Sequence, residues 1–577
     1  FNKDRANGAF NTATASMSNV TITLADNTYL RPGQITVLDN APGAVGVPLD
    51  PFALSDRYAL SVADFNEDQV ESVHLTAYAD ATRDFTWPMP VEIKAGLRFE
   101  GLSKENERGF ARYNYLGNAG NRSPAAFLDE VYASRPGQLG FPSIQGIDNY
   151  KLHDHLVANP GQFQLNAPGE YFNRVNSSRD ASEDIAAGYV QAGVKFLDRR
   201  LHLVGGFRVE HTMIDSNGPL TDPTGNYQRD TQGNIVLGTN GRPIPLVPVN
   251  PNSLDYLRNT FFERGYRVKT DYTQALPRFT ASYLLAPELI LRASYGRAFG
   301  RPNLIQYSGA VGFPDLEDEL AGNDFFSVNN PDIEPWTSEA WTARLECYFK
   351  VVGHVAIGGF VRDYKNFFTN ITVPVTQEFL TPFGLDLADY DGAQVRTQVN
   401  GEGTVRHTGV TVEYKQALTF LPHWARGVQV FANGTHIQRD PEPFPRRDDA
   451  HGDLFQPALN PFEYAGNFGL NLSRERFTVR LNWNYRDRKE IDQRAWNPNG
   501  TLSTSQFAYT YLPSRLRLDL DLDVALSKSF GLFVNGRNVG NDPELVEAYG
   551  PETPGYARLR QRIDYGALWT FGVKGSF

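Results

Sequence analysis

The chain has 577 residues, a formal net charge of -11 at pH 7 and one cysteine, Cys347. That length divides most soluble chains into several domains, a large membrane barrel being an exception. The acidic balance argues against a nucleic-acid partner, and the lone cysteine excludes both an internal disulfide framework and a cysteine-rich metal site.

Mean hydropathy is -0.41, and no run of about 18 apolar residues forms a membrane-crossing helix. The chain opens Phe-Asn-Lys-Asp. It is read either as starting after a removed leader or as beginning inside a longer protein.

Taken in chain order, the first predicted strand lies near Ser16 to Ala25, running outward, with weak patterning over 1–60 and 103–181. Short connections are predicted near Leu197 to Arg200, Leu285 to Pro287, Lys350 to Gly353, Arg474 to Arg476 and Leu526 to Ser529. Long polar ones fall at 103–181, 215–270, 300–335, 368–394, 439–461, 487–508 and 541–556. Cys347 shares its predicted face with Trp341, Ala343, Leu345 and Phe349, which makes it lipid-facing and inert. Phe477, Val479, Leu481, Trp483 and Tyr485 alternate with Thr478, Arg480, Asn482, Asn484 and Arg486. Leu516, Leu518, Leu520, Leu522 and Val524 alternate with Arg517, Asp519, Asp521 and Asp523. A last run places Ile563, Tyr565, Ala567, Trp569, Phe571, Val573 and Phe577 on one face.

Period-two alternation also describes a soluble sheet with one wet face. Here one face is free of charge over about ten residues, which is the length of a tilted membrane strand. Short turns at one end and long loops at the other add the organisation of an outer-membrane barrel. The predicted fold is therefore all-β: a transmembrane antiparallel barrel with about 16 visible strands, short periplasmic turns and long extracellular loops. The expected location is the bacterial outer membrane, with outer-membrane lipid and the barrel-assembly machinery as partners.

No enzyme constellation is present: there is no Gly-x-Ser-x-Gly, His-Glu-x-x-His or phosphate-binding glycine loop. No cofactor is expected. His153-Asp154-His155 could contribute to a metal site, and Asp448, Asp449, His451 and Asp453 could suit calcium. Solvated loop faces are favoured for both, and for the acidic run Asp315, Glu317, Asp318 and Glu319. Arg480, Arg486, Arg517, Asp519, Asp521 and Asp523 should face the lumen, since Arg or Lys facing lipid costs about 2–4 kcal/mol at the midplane. Pairing with each other or with an inserted domain is favoured over lining a solute path, with Arg480 and Asp519 kept as substrate-binding candidates. Tyr307, Trp336, Trp496 and Tyr509 could stack on a ligand. Trp336, at a strand start, suits an interfacial girdle; Trp496 and Tyr307 are the other substrate-binding candidates. Phe577, with Phe571 and Trp569 at even spacing, is the candidate assembly signal.

Three blocks carry a family resemblance: Leu276-Pro277-Arg278-Phe279 through Leu289 to Tyr295 and on to Arg301-Pro302-Asn303; Asn330-Pro331-Asp332-Ile333-Glu334-Pro335-Trp336 with the strand pair after it; and Phe533-Val534-Asn535-Gly536-Arg537-Asn538-Val539. In order and spacing they resemble TonB-dependent outer-membrane receptors, most similarly the large Xanthomonas/Caulobacter type. The resemblance implies 22 strands, an N-terminal plug inside the barrel, a TonB box, and TonB-energised uptake of a small solute such as an oligosaccharide, metal chelate or cofactor. No plug-like segment or box is found. The whole of 1–577 is expected to be barrel, with the plug and first strands lying outside this sequence. A passive 16-stranded porin and a structural or adhesion barrel are the competing readings.

Overall fold

A computed structural model describes residues 10–575, apart from 87, 240, 242, 251, 308–310, 313–324, 331, 350–351, 382–386, 391, 424–425, 441–459 and 494–508. One antiparallel sheet of seventeen strands dominates it. Fifteen are consecutive wall strands: β1 (Ala59–Thr86), β2 (Pro90–Tyr115), β3 (Arg179–Phe196), β4 (Leu201–Thr221), β5 (Phe261–Ala286), β6 (Leu289–Gly300), β7 (Trp336–Phe349), β8 (Gly353–Lys365), β9 (Val405–Ala417), β10 (Val428–Asp440), β11 (Tyr464–Ser473), β12 (Phe477–Arg486), β13 (Arg515–Ala525), β14 (Phe530–Arg537) and β15 (Leu568–Gly575). Each pairs with the next in a simple meander. Short strands Thr12–Ser16 and Phe163–Leu165 add to the sheet beside β1 and β2.

The register makes the two faces chemically distinct. One line of directly opposed residues runs Phe196, Leu201, Tyr283, Leu291, Leu345, Ile357, Val412, Gly434, Gly466, Tyr485, Leu516 across β3 to β13. It carries no charge. The adjacent line, one residue along, runs Lys195, His202, Ser282, Arg292, Arg344, Gly358, Thr411, Thr435, Ala465, Arg486, Arg515. Side chains of a strand alternate faces, so these two lines are the two surfaces of one wall. The apolar surface remains exposed, with Trp341, Ile357, Phe571 and Val573 all more than half accessible. A monomeric soluble protein rarely exposes so continuous an apolar surface, whereas lipid is its natural solvent.

Connections at one end are 87–89, 197–200, 287–288, 350–352, 418–427, 474–476 and 526–529; those at the other are 116–178, 222–260, 301–335, 366–404, 441–463, 487–514 and 538–567. The short–long sorting matches the expected periplasmic and extracellular ends. β1 has 28 residues, β2 26 and β5 26, although crossing a bilayer takes about 9–11. The short connections align one set of ends, so the excess rises on the long-loop side.

Two expectations change. Ser16 to Ala25 is not a wall strand: Val20–Asn27 pairs with Pro32–Asp39, and that strand with Pro48–Leu49, in a separate three-stranded sheet. The wall strand β1 begins later and runs in the same direction as β15, so the fifteen wall strands have odd parity. Among the described residues β15 ladders with β14, and β1 with β2 and the short strand Thr12–Ser16, with no ladder between β1 and β15. Near the other end, the run from Ile563 to Phe577 is broken, because Leu559–Ile563 belongs to a loop sheet and β15 starts at Leu568. The alternation of apolar residues passes through the 564–567 connection and disguises it.

Apolar cores lie at the long-loop end, in the loops and the strand ends beside them. Phe10, Leu60, Tyr115, Phe127, Leu152 and Phe163 form one. Phe326, Val375, Leu380, Ala393 and Val395 form another, beneath a four-stranded sheet in which Phe325–Val328 runs parallel to Gln394–Asn400. That sheet ties the 301–335 and 366–404 loops together. Asn400 is its staple: its amide donates to Glu334 O at 2.8 Å and Asn366 O at 2.9 Å, and accepts from Glu334 N–H at 2.8 Å. Replacing Asn400 with Ala removes all three, and should loosen the loop pair by about 1–3 kcal/mol. The readout is faster proteolytic nicking within 366–404, with the wall still intact.

Candidate functional site: the polar face and its loop cap

The polar face is organised into charge knots on its first strands. Arg112 forks onto Asp64 at 2.7 and 2.9 Å, and Glu100 accepts from Arg98 and meets His74, both at 2.8 Å. Near the loop end of β4, Glu210 takes Arg208 and Arg301, both at 2.6 Å, with Glu183 at 3.8 Å from Arg301. Lower on the wall, Glu346 accepts from Arg292 Nε at 3.2 Å and Tyr348 Oη at 2.9 Å, and Arg344 Nε stands 3.0 Å away. Arg344 also forks onto Glu413 at 2.8 and 2.5 Å.

The expected lumenal charges of β12 and β13 share this face. Arg480 stands opposite Asp521, Asn482 opposite Asp519, and Asn484 opposite Arg517. Asp519 accepts from the Asn538 N–H at 2.9 Å and from Asn484 Nδ2 at 3.4 Å. Arg486 and Arg515 both reach Glu544 at 3.3 Å, and Asp523 pairs with Lys574. Arg480 has no carboxylate partner among the described residues.

The aromatic candidates separate. Tyr307 is fully buried, packed with Ile214 and Ile333, and its hydroxyl donates to Ile333 O at 3.2 Å. Burial pushes its phenol well above the ordinary range. Its ring therefore holds the 301–335 loop onto the wall. Tyr509 is buried in a loop strand, and the Trp336 ring fills the space beside Gly300 where a Cβ would stand. Trp569 and Phe571 lie on the apolar face, their rings stacked at 6.4 Å. Cys347 also lies on that face, opposite Val355. Trp496 and Phe577 lie outside the described residues, as do Asp448, Asp449, His451, Asp453, Asp315, Glu317, Asp318 and Glu319.

His153 and His155 sit on the helix Asn149–Ala158. Their rings pack on Phe10 and on Phe127, Tyr115 and Phe163 respectively, and His155 Nε2 lies 2.9 Å from Gln162 Oε1. They are parts of an aromatic cluster, not a solvated loop face. No group of three metal-ligating side chains occurs among the described residues.

Sequence patterning missed the Glu346 knot and a set of asparagines on β10 to β14. Alternation assigns a residue to a face, but only the register shows which polar residues meet.

No curated protein matches the sequence. Among solved structures the chain is similar to the ferric-catecholate import receptor Fiu from E. coli K12 (12% identity, 91% of this chain and 57% of that one, TM-score 0.48). It is also similar to the siderophore receptor PiuA from Acinetobacter baumannii (12%, 90% and 60%, 0.47) and the ferric citrate transporter FecA (12%, 90% and 57%, 0.45). The chain thus spans 57 to 60% of the length of these structures. A family model described as "TonB dependent receptor-like, beta-barrel" matches residues 9–565. With that match over a wall that is apolar outside and charged within, the chain belongs to the TonB-dependent receptor β-barrel family, whose members are transporters of the bacterial outer membrane and not enzymes.

Proposed function

We propose that this chain forms most of the wall of a receptor that captures a scarce solute on its extracellular loops and imports it with energy relayed by TonB. The family match carries this reading. The interlocked loop cap and the charged inner face are consistent with it. A plug domain and further strands would complete the barrel. The odd parity of the wall supports this, since closing a meander whose edge strands run the same way takes an odd number of added strands. An open sheet edge in lipid would leave backbone groups unpaired at several kcal/mol each. The block pattern favours the large Xanthomonas/Caulobacter-type branch. Arg480 and Asp519 would face the solute path, and Trp496 would serve capture.

The test uses the full-length receptor in its native membrane, with and without TonB. Radiolabelled neutral oligosaccharides, ferric citrate and cyanocobalamin serve as probes. TonB-dependent accumulation of at least one is expected. TonB-independent entry, or open conductance of the purified receptor in planar bilayers, would show a passive channel instead.

The assembly machinery would read the terminal strand through Phe577, Phe571 and Trp569. Deleting Phe577 should lower the outer-membrane yield without changing synthesis, measured by fractionation and immunoblot; unchanged yield would sink the assignment.

A further inference from the structure

The uncharged register line has a gap. It runs Leu291, Leu345, Ile357 and Val412 across β6 to β9, then meets Gly434 on β10 and Gly466 on β11, directly opposed, before Tyr485 on β12. Two adjacent strands thus present no side chain at that level. Large residues stand around it. On the same face, the next level towards the long loops carries Val410, His436 and Tyr464, the last two with their rings stacked at 4.5 Å. The level below carries Tyr414, Ala432, Phe468 and Trp483, with the Phe468 and Trp483 rings stacked at 5.4 Å. The result is an open groove of about 720 Å³ in the apolar surface, lined mainly by apolar atoms.

The same levels set its depth. Gly434 lies towards the long-loop end of β10, and Gly466 lies near the start of β11, which follows a long connection. Beyond His436 the face turns polar, with Thr408 opposite Gln438 and then Arg406 opposite Asp440. The groove therefore sits in the extracellular leaflet, with His436 and Tyr464 where hydrocarbon gives way to headgroups, a level at which rings with polar tips are favoured. His436 Nδ1 is a shielded atom that finds no hydrogen-bond partner among the described residues. The groove is thus apolar along its length and offers an unpaired polar atom at its outer end.

We propose that this groove holds one acyl chain of an outer-leaflet lipopolysaccharide, with the amide, ester or hydroxyl at the head of the chain against His436. Polarity matches along the whole chain: hydrocarbon over Gly434, Gly466 and Ala432, and a hydrogen-bonding group at the imidazole, whose ring nitrogens donate or accept. The surface faces lipid, and lipopolysaccharide is the lipid of that leaflet in a bacterial outer membrane. A chain seated over the glycines touches walls on both sides, which hydrocarbon lying on a flat strand surface does not, so it gains contacts that annular lipid lacks. The site is independent of which solute the receptor carries.

The experiment purifies the full-length receptor in mild detergent and counts its retained lipid by native mass spectrometry. One lipopolysaccharide per wild-type receptor is expected to survive detergent exchange. An added Cβ at Gly434 meets no described atom within 4 Å, so Gly434→Leu fills the groove without a clash. It should lower occupancy about tenfold or more, because each methylene kept out of apolar contact weakens binding about fourfold. His436→Phe keeps a ring over Tyr464 but removes the unpaired nitrogen, and should lower occupancy severalfold. Ala343→Leu, on the same surface of β7, is the control and should change nothing. Should Gly434→Leu fail to reach the outer membrane, Ala432→Leu fills the lower end of the groove and is expected to act in the same direction. A wild-type receptor stripped of all lipid, occupancy unchanged by groove filling or by His436→Phe, or an equal loss in Ala343→Leu overturns the proposal. Phospholipid retained in place of lipopolysaccharide overturns it too, and a dimer that Gly434→Leu dissolves would give the groove to a second copy of this chain.

Discussion

Leu345→Arg is expected to destabilise the folded barrel by about 2–4 kcal/mol in a bilayer, the cost of placing Arg at lipid-facing midplane positions. Leu345 sits between Leu291 on β6 and Ile357 on β8, in the middle of the uncharged register line. Its neighbours two residues away on the same face are Ala343 and Cys347, so no carboxylate is at hand to pair with a guanidinium. Snorkelling to an interface would remove part of the cost, which sets the lower bound. The matched control is Thr435→Arg, on the adjacent line that holds Arg292, Arg344 and Arg486. There an added guanidinium meets a polar lumen and should change stability by about 0.5 kcal/mol or less. Both are measured as denaturant midpoints in lipid vesicles. Equal effects of the two substitutions would mean that the faces are assigned the wrong way round or that neither meets lipid.

The two faces are legible in the sequence because lipid imposes a strict rule: every second residue must be apolar for the whole crossing. Phe477 to Tyr485 and Leu516 to Val524 obey it, and their charges fall on the polar face. The rule has no force outside the bilayer. The protruding parts of β2 and β5 read as long polar loop, although Arg112 and its neighbours continue the ladder with β1 well beyond the membrane. Val20–Asn27 alternates like a wall strand, yet it folds on its own hairpin partner. Alternation reports a half-exposed strand, not which sheet it joins. The candidate site is partly legible for the same reason. Periodicity alone places Arg480 and Asp519 on the inner face. The burial of Tyr307 follows from the packing of one loop against Ile214 on a strand remote in sequence, which no local pattern encodes. The asparagines of β10 to β14 become a set only when the strands are in register.

Glu346→Leu should cost about 2–3 kcal/mol, less than the ~3–5 kcal/mol of breaking a fully buried pair, because its arginine partners are part-exposed. The reason lies in the register. Arg292 and Arg344 are directly opposed on β6 and β7, an arrangement that is repulsive when uncompensated. Glu346 sits two residues along from Arg344 and reaches both guanidinium groups, and its side chain is only 9% exposed. Glu413 neutralises Arg344 from β9, whereas Arg292 turns to Glu346 and to Ser282 Oγ at 3.0 Å. Removing Glu346 leaves two cations facing each other, of which only Arg344 keeps an anion, Glu413. The second substitution, Arg292→Met, should then recover part of the loss, because it removes the cation left without an anion. The double-mutant cycle is expected to return a coupling of about 1–2 kcal/mol. Measured as denaturant midpoints in vesicles, additive single-site effects would mean that the two side chains act independently. A midpoint unchanged by Glu346→Leu would mean that lumenal solvent already screens the pair. The expected result instead makes Glu346 the residue that permits two arginines to share one level of the wall.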